Sequence, residues 1–374
     1  MTEANEIVFD PSAGLRSSQV GDRGAVTAIM ERVRSKYFAT AVDLPVRERL
    51  DDIIDGLCLR ANPGEGFTAD NVVEADGILL IGESGSGKSR ILNHVIRKDP
   101  LFAEFGKIDS YCPIVRLSLP SPCPLIRLGR RLLRRLGLPV AGSPDRHIIM
   151  ERARDRLVLK RTRILWLDEF HHVTQSSNIQ DIKQLLNFIK SCLIPEEGGP
   201  PVAIILSGLP ELVPIIEMDP QVRRRLKPIE LPPIELPADE EFLTFVIGQL
   251  AEVARLSVHK NVCAGRHDRL AHAATYQRGV AIEIVQDAIE RALKAKSRAL
   301  TMDHFASAYA VRTGSGPAAN PFVVADWKSV RCDRILRQND NPTGFDRILS
   351  KEQDAAAKRV ARKIAKGASR RTGW

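Results

Sequence analysis

Four short runs of the chain are almost purely apolar and lack the alternation of a half-exposed strand. They are GILLIG (77–82), PIVRLSL (113–119), RILWLDE (163–169) and VAIILSG (202–208). Such runs are typical of strands buried on both faces, and a stretch with helical spacing separates each run from the next. The pattern predicts an α/β fold in which helices flank a parallel sheet.

The pattern changes on both sides of these runs. Residues 25–59 carry apolar positions three and four apart, which predicts helices after a loose arm. From residue 238 the chain reads as helices with no strand among them. We therefore predict an N-terminal arm and helices over 1–70, an α/β core over 71–237, a small all-helical domain over 238–312, and a linker with a basic tail over 313–374.

Composition narrows the class of protein. The 374 residues are 44% hydrophobic and 27% charged, which excludes a wholly disordered chain. Aromatic residues make up only 5%, so broad base-stacking platforms are not expected. The six cysteines form no CxxC pair, and the sequence has no apolar signal core and no run long enough to span a bilayer. We expect a cytoplasmic protein with reduced thiols and no membrane partner.

The strongest chemical signal follows the first apolar run. The sequence GESGSGKS has the spacing Gly-x-x-x-x-Gly-Lys-Ser, and RILNHVIRK after it has helical spacing. In such a P-loop the backbone N–H groups point at phosphate oxygens, the lysine reaches the β and γ phosphates, and the serine hydroxyl ligates Mg²⁺. A strand before and a helix after favour this reading over a structural glycine turn. The predicted nucleotide-binding residues are Gly82, Glu83, Ser84, Gly85, Ser86, Gly87, Lys88, Ser89 and Arg90.

Two acidic residues end the third run, where open parallel sheets bind their ligands. We predict that Asp168 holds the Mg²⁺ shell together with Ser89, and that Glu169 polarises the attacking water. A solvated turn is the alternative, disfavoured because a buried strand leads directly into the pair. His171 and His172 follow without a cysteine or third histidine nearby, so we do not expect them to bind a metal.

Two further positions each have two interpretations. Ser207 ends the fourth run, where it would sense the γ-phosphate or cap the next helix. The segment DPQVRRRL places Arg223, Arg224 and Arg225 in a row. One of them would stabilise transition-state charge on a neighbouring subunit's nucleotide, or the row is a solvated basic turn.

Together these motifs resemble an AAA+ ATPase, and more narrowly the TniB/TnsC family of transposition ATPases. The resemblance covers residues 30–325. The P-loop and the acidic strand end are common to P-loop proteins in general. The resemblance to TniB/TnsC depends on the blocks DEFHH and DPQVRRRL and on the segment NPF at 320–322. It implies an ATP-dependent regulator that hydrolyses ATP with stimulation by DNA and forms a hexameric ring or helical filament on double-stranded DNA. Such a protein marks the target site, links a target-selecting protein to the transposase, and disassembles on hydrolysis.

The resemblance also implies residue roles. Lys88, Ser89, Asp168 and Glu169 keep the roles given above, Ser207 takes the first sensor position, and Arg225 is the trans-acting finger. One position departs from the family: members often carry Gly-x-x-Gly-Arg in the helical lid domain, whereas this chain has Ile282 and Glu283 at the last two positions. The second sensor arginine is missing there, and Arg278 is a weak substitute.

The net charge of +9 is concentrated in two segments. Residues 127–163 hold twelve Lys or Arg against three acids, and residues 351–374 hold eight against two, so the remainder is mildly acidic. In PLIRLGRRLLRRLG the arginines fall within about 140° of a helical wheel and the leucines lie opposite. We predict that Arg127, Arg130, Arg131, Arg134 and Arg135 contact the DNA backbone independently of sequence; a solvated face is the alternative.

Two other functions are compatible with these residues. One is a nucleotide-gated scaffold that polymerises on DNA with little turnover, which the missing lid arginine would favour. The other is a helicase-loader or initiator-type AAA+ ATPase. The intact pair Asp168 and Glu169 favours the hydrolysing regulator.

Overall fold

The computed structural model describes residues 11–18, 21–66, 68, 71–107, 110–140, 145–174, 178–194, 199–263 and 266–336. These residues divide into two compact units, one formed by 39–232 and the other by 11–38 with 233–336. The predicted basic tail over 351–374 lies outside the described residues. Every helix within the described residues is too short or too polar to cross a bilayer.

A five-stranded parallel sheet forms the centre of the first unit. Its strands are β1 (Gly77–Ile81), β2 (Ile114–Ser118), β3 (Ile164–Asp168), β4 (Ala203–Gly208) and β5 (Leu226–Glu230), in the order β2-β3-β4-β1-β5. The four strands predicted from the apolar runs are confirmed. The α/β class predicted from them is confirmed as well.

The fifth strand was missed by the sequence analysis. Its sequence LKPIE carries a lysine, a proline and a glutamate. Only Leu226 is buried, and Pro228 and Glu230 are exposed. β5 lies at the sheet edge and pairs only with β1. Proline is tolerated at an edge because one side of the strand needs no backbone donor, so the apolar-run criterion could not find this strand.

The helices follow the spacing of apolar residues along the chain. In order they are α1 (Ala13–Ser17), α2 (Asp22–Ser35), α3 (Asp43–Cys58), α4 (Lys88–Lys98), α5 (Leu125–Arg135), α6 (Arg146–Leu159), α7 (His171–Thr174), α8 (Ile179–Leu193), α9 (Val213–Ile216), α10 (Pro220–Arg225), α11 (Glu240–Val253), α12 (Lys260–Cys263), α13 (His267–Ala273), α14 (Arg278–Lys294) and α15 (Met302–Thr313). In the first unit α3 packs on α4, α5 on α6, and α6 on α8. Their apolar faces and the sheet form one continuous core.

The second unit is a helical cluster with its own core. α14 packs against α2, α11, α13 and α15, and its inward residues are buried with those of its neighbours. The prediction that this segment contains no strand was wrong: Ser257–Val258 (β6) and Ala299–Leu300 (β7) pair in parallel. Two residues are too short to produce a periodic signal.

The segment Asn320-Pro-Phe follows α15 and packs against that helix. The Asn320 side chain donates to the backbone oxygen of Ala306 at 2.8 Å, and the Phe322 ring lies 5.6 Å from that of Phe305. Asn320 and Phe322 are both buried. The motif therefore fastens the chain after α15 back onto that helix.

Candidate nucleotide site

The loop between β1 and α4 has the backbone of a phosphate cradle. Gly85 and Gly87 have φ values of +78° and +105°, a region that strongly favours glycine. A Cβ at Gly82 would lie 2.8 Å from the Ser86 Oγ and 3.0 Å from the Leu231 Cβ. Gly85 and Gly87 are thus favoured by their backbone conformation, and Gly82 by the lack of space for a side chain.

Two polar side chains point into the same loop. Lys88 Nζ donates to the backbone oxygens of Gly82 at 2.8 Å and Glu83 at 2.9 Å. Burial lowers the pKa of Lys88, while the negative charges of Glu169 and Asp168 counteract that shift. The Ser86 Oγ is buried with no hydrogen-bond partner among the described residues. A buried lysine and an unsatisfied hydroxyl at a glycine-rich helix start fit a bound phosphate group.

Asp168 is the centre of a polar cluster at the carboxyl end of β3. Its Oδ1 accepts hydrogen bonds from the Ser89 hydroxyl at 2.9 Å and from the Ser207 hydroxyl at 2.6 Å. Parallel register places Asp168 directly beside Ser207 of β4. The structure therefore brings together three of the predicted site residues, from a helix start and two strand ends, with oxygen atoms of the kind that Mg²⁺ prefers.

Three residues of this cluster were not predicted from the sequence. Arg116 of β2 donates to the Asp168 Oδ2 at 2.6 Å, and the Trp166 indole donates to the Ser207 Oγ at 2.9 Å. Asn93 of α4 donates to the Ser89 backbone oxygen at 2.6 Å. A polar residue inside a buried strand, such as Arg116 in PIVRLSL, was the available signal. An apolar run gives no indication of which neighbour that residue meets.

Glu169 lies beside the two histidines. Its φ is +57°, an uncommon conformation for a non-glycine residue and one that is frequent at functional sites. Its carboxylate lies 3.6 Å from the His171 Nδ1, and the rings of His171 and His172 are 4.3 Å apart. The three side chains offer ligand atoms within 4.8 Å of one another, a closer grouping than the sequence analysis expected of adjacent histidines.

His171 is held neutral by its surroundings. Burial lowers its pKa to about 3, and the nearby charges of His172 and Lys88 act in the same direction. The His172 Nδ1 lies 2.8 Å from the Leu119 backbone oxygen, which fixes that ring between two strand ends. The pair therefore forms part of the wall beside Glu169.

The three arginines of α10 differ in exposure. Arg223 and Arg224 are exposed, whereas the Arg225 side chain is only 4% exposed and pairs with the Glu74 carboxylate. Arg225 also donates to the Gln221 backbone oxygen at 3.3 Å. The residue predicted as the trans-acting finger is thus buried in its own chain, and reaching another subunit would require its pair with Glu74 to open.

α5 is amphipathic as its wheel indicated. Leu125, Leu128, Leu132 and Leu133 are fully buried against the core. On the other side Arg127, Arg131, Arg134 and Arg135 are exposed, and Arg130 is half-buried. Arg127 and Arg131 donate to the backbone oxygens of Pro122 and Ser118, at 2.9 Å and 3.3 Å. Each of these guanidiniums retains further donors for another acceptor.

In the helical unit, the position of the missing lid arginine carries an internal ion pair. Glu283 pairs with Arg312 of α15, and Arg312 also contacts Asp287 at 3.3 Å. Arg278, the weak substitute, donates to both carboxylate oxygens of Asp239, at 2.8 Å and 2.6 Å. Both arginines are therefore engaged inside this unit.

Comparison with known proteins identifies the family of the α/β core. Residues 66–236 match the family model of the bacterial TniB protein. The fold is similar to the ORC1 protein of Aeropyrum pernix in complex with DNA, at 17% identity over 71% of this chain and 64% of that chain, with a TM-score of 0.50. It is also similar to CDC6p of Pyrobaculum aerophilum, at 14% identity over 77% of this chain and 70% of that chain, with a TM-score of 0.50. The comparison with curated proteins finds no match.

At these identities the solved structures bear on the fold alone, and this chain spans less than two thirds of the length of the ORC1 chain. The shared fold is the AAA+ fold, which in this chain has a five-stranded parallel sheet. The family match adds the narrower identity. This chain is an AAA+ P-loop protein whose core, residues 66–236, belongs to the TniB family.

Proposed function

We propose that this protein is an ATP-dependent regulator of DNA transposition. It oligomerises on double-stranded DNA, marks the target site, and links a target-selecting protein to the transposase. Hydrolysis of ATP then controls disassembly. The observation that carries the proposal is the TniB match, which covers a P-loop and an acidic strand end already assembled into one site.

The residues of the site fit a nucleoside triphosphate with Mg²⁺. The P-loop backbone, Ser86 and Lys88 would bind the phosphates, since they supply N–H, hydroxyl and ammonium donors at a helix start. Ser89 and Asp168 would hold the metal ion. When bound, the ion neutralises charge on the phosphates. Orientation and deprotonation of the attacking water would be carried out by a protein side chain.

Glu169 is the general base of the proposed reaction. Its carboxylate would orient a water molecule and accept the proton of that water at an Oε atom. Glu169 has a left-handed backbone and its carboxylate lies beside His171, whereas the Asp168 carboxylate contacts Ser89 and Ser207. The two acids would therefore take different roles although they are adjacent in sequence. Ser207 would stabilise the Asp168 carboxylate through its 2.6 Å hydrogen bond, and it would take the first sensor position.

The exposed arginines of α5 are the proposed DNA contact. Arg127, Arg131, Arg134 and Arg135 line one side of a rigid helix whose other side is buried, with Arg130 at the edge of the same face. No acidic residue interrupts the helix. Like charges at this spacing repel, and phosphates would relieve that repulsion with release of counterions. Binding of this kind is independent of sequence because it reads no base edges.

An ATPase assay tests the proposal directly. Phosphate release is measured with and without duplex DNA for the wild type and for Glu169→Gln. We expect measurable turnover in the wild type, stimulation by DNA, and a loss of about a hundredfold or more in the variant because the general base is removed. Equal, near-zero rates for both proteins would contradict the hydrolysing regulator.

A scaffold with little turnover is the second candidate. It is favoured by Glu283, which replaces the lid arginine and is paired with Arg312. An initiator or helicase loader is a further candidate, supported by the fold similarity alone. The phosphate-release assay above separates the scaffold from the hydrolysing regulator. Electron microscopy of the protein with ATP and duplex DNA separates the loader from both: a hexameric or helical coat on DNA favours transposition, and subunits bound only to a helicase favour the loader.

A further inference from the structure

Arg116 is a basic residue placed directly against the carboxylate of the proposed metal site. Its Nη2 donates to the Asp168 Oδ2 at 2.6 Å, the oxygen that neither Ser89 nor Ser207 contacts. Asp168 is 2% exposed and Arg116 is 31% exposed at their side chains. A guanidinium on a buried carboxylate is a strong, charge-assisted contact.

Arg116 is held in this position from two other sides. Its Nη1 donates to the Asn93 Oδ1 at 3.2 Å, and its guanidinium carbon lies 4.3 Å from the centre of the Trp166 ring. Trp166 in turn donates to Ser207, which donates to Asp168, so the contacts close into a ring. Such a ring restricts the positions of both the Arg116 guanidinium and the Asp168 carboxylate.

We propose that Arg116 is a positioning residue that holds Asp168 and sets how strongly a divalent cation is coupled to nucleotide binding. The proposal rests on the nucleotide site described above. The guanidinium and the cation are both positive and both require Asp168, so Arg116 weakens the hold of the site on the cation. The same guanidinium supplies a fixed positive charge beside the phosphate cradle whether or not the cation is bound.

The test is a ratio of two nucleotide affinities. The full chain is titrated with a fluorescent ADP analogue in excess EDTA and again in saturating Mg²⁺, and the two dissociation constants are divided. Arg116→Met and Arg116→Gln should each raise the EDTA-to-Mg²⁺ ratio about tenfold, because the charge that opposes the cation and supports the metal-free complex is removed. Arg116→Lys keeps the charge and should stay within about threefold of the wild type.

The variants separate a charge effect from a packing effect. If Arg116 acted only through packing, the ratio would change least in Arg116→Met and by equal amounts in Arg116→Lys and Arg116→Gln. If it acts through charge, the ratio changes in Arg116→Met and Arg116→Gln and stays near the wild-type value in Arg116→Lys. Arg152→Met, on the exposed side of α6, is the matched control and should leave the ratio unchanged. If Arg116→Met does not fold by circular dichroism, Arg116→Gln and Arg116→Lys still give the comparison.

The outcomes distinguish this inference from the proposed function. A ratio within about twofold of the wild type for Arg116→Gln, with nucleotide binding retained, overturns the role of Arg116 and leaves the ATP site intact. Absence of nucleotide binding by the wild type in both conditions overturns the nucleotide site, and this inference with it. Lys88→Ala, which should bind in neither condition, calibrates the assay.

Discussion

The adjacent acids Asp168 and Glu169 differ in the side chains that contact them. Asp168 accepts from two hydroxyls and one guanidinium, which come from α4, β4 and β2. The next residue, Glu169, has a left-handed backbone and faces His171 instead. Two adjacent acids thus receive different surroundings, as the different tasks of holding a metal ion and activating water require.

His171 makes the stability of the core depend on pH. Its pKa falls from 6.5 to about 3 on folding, so the folded state disfavours the protonated ring. The contribution of the neutral ring is complete above pH 6.5 and is lost as the pH falls toward 3. The loss is about 1.4 kcal/mol for each pH unit below the unfolded pKa.

The expected result is a shallower pH dependence in His171→Gln. Urea unfolding at pH 7.5 and pH 5 gives the free energy of unfolding for each protein. The wild type should lose about 1–2 kcal/mol more than the variant between these two values. Parallel pH profiles would mean that folding does not lower the pKa of His171. His259→Gln, at an exposed position of the helical unit, is the control.

At the scale of elements, the two sides of α5 differ in burial and in charge. Its leucines are buried against the core, while Gly129 faces α6 so closely that a Cβ there would lie 2.9 Å from the Ile149 Cγ1. Ile149 is itself fully buried in the core. The glycine therefore sets the distance between α5 and α6, and so the position of the arginine face.

Gly129→Ala should destabilise the protein although alanine is the better helix former. The overpacking against Ile149 should cost about 1–3 kcal/mol, which exceeds the gain of about 1 kcal/mol in helix propensity. Gly248→Ala in α11 is the matched control, since nothing lies within 4 Å of its Cβ, and it should stabilise by about 0.5–1 kcal/mol. Chemical denaturation measures both. Equal gains in stability would show that α5 and α6 are not closely packed at Gly129.

Reversal of two arginines on α5 tests the DNA face. Arg131→Glu with Arg134→Glu should weaken binding to duplexes of any sequence and reduce the slope of log affinity against log salt by about two. Arg23→Glu with Arg32→Glu, both exposed on α2, makes the same change in net charge. Fluorescence anisotropy at several salt concentrations measures the slope. Equal weakening by both double variants would assign the effect to net charge alone.

At the scale of the whole molecule, the proposed function requires subunits to act on one another. Arg225 is the finger that the family resemblance implies, yet its side chain is paired with Glu74 within the chain. Arg224, one residue earlier, is 73% exposed. Subunit mixing decides between a residue that acts in trans and one that only supports its own fold.

Mixing two inactive variants should restore activity if Arg225 acts in trans. Arg225→Ala subunits keep a nucleotide site, and Lys88→Ala subunits keep the finger, so mixed assemblies contain complete sites. We expect the DNA-stimulated ATPase rate of the equimolar mixture to exceed that of either variant alone several-fold. If the ATPase rate is restored when Lys88→Ala subunits are mixed with Arg224→Ala subunits, but not when they are mixed with Arg225→Ala subunits, then Arg224 is the finger. Arg223→Ala, at a neighbouring exposed position, should retain activity by itself.

The class of fold and the phosphate end of the site follow from local patterns in the sequence. Four apolar runs gave four of the five central strands, and Gly82, Gly87 and Lys88 lie where the P-loop spacing places them. These features are local: periodicity reports burial, and a glycine spacing reports a backbone conformation over a few residues.

Tertiary structure alone decided the contacts between distant segments. Arg116 and Asp168 are 52 residues apart, and their contact follows from strand order and register. The edge strand β5, the grouping of α2 with the C-terminal helices and the burial of Arg225 also depend on which elements are neighbours in space. A sequence pattern shows which side of an element is buried, whereas the partner on that side is fixed only when the whole chain folds.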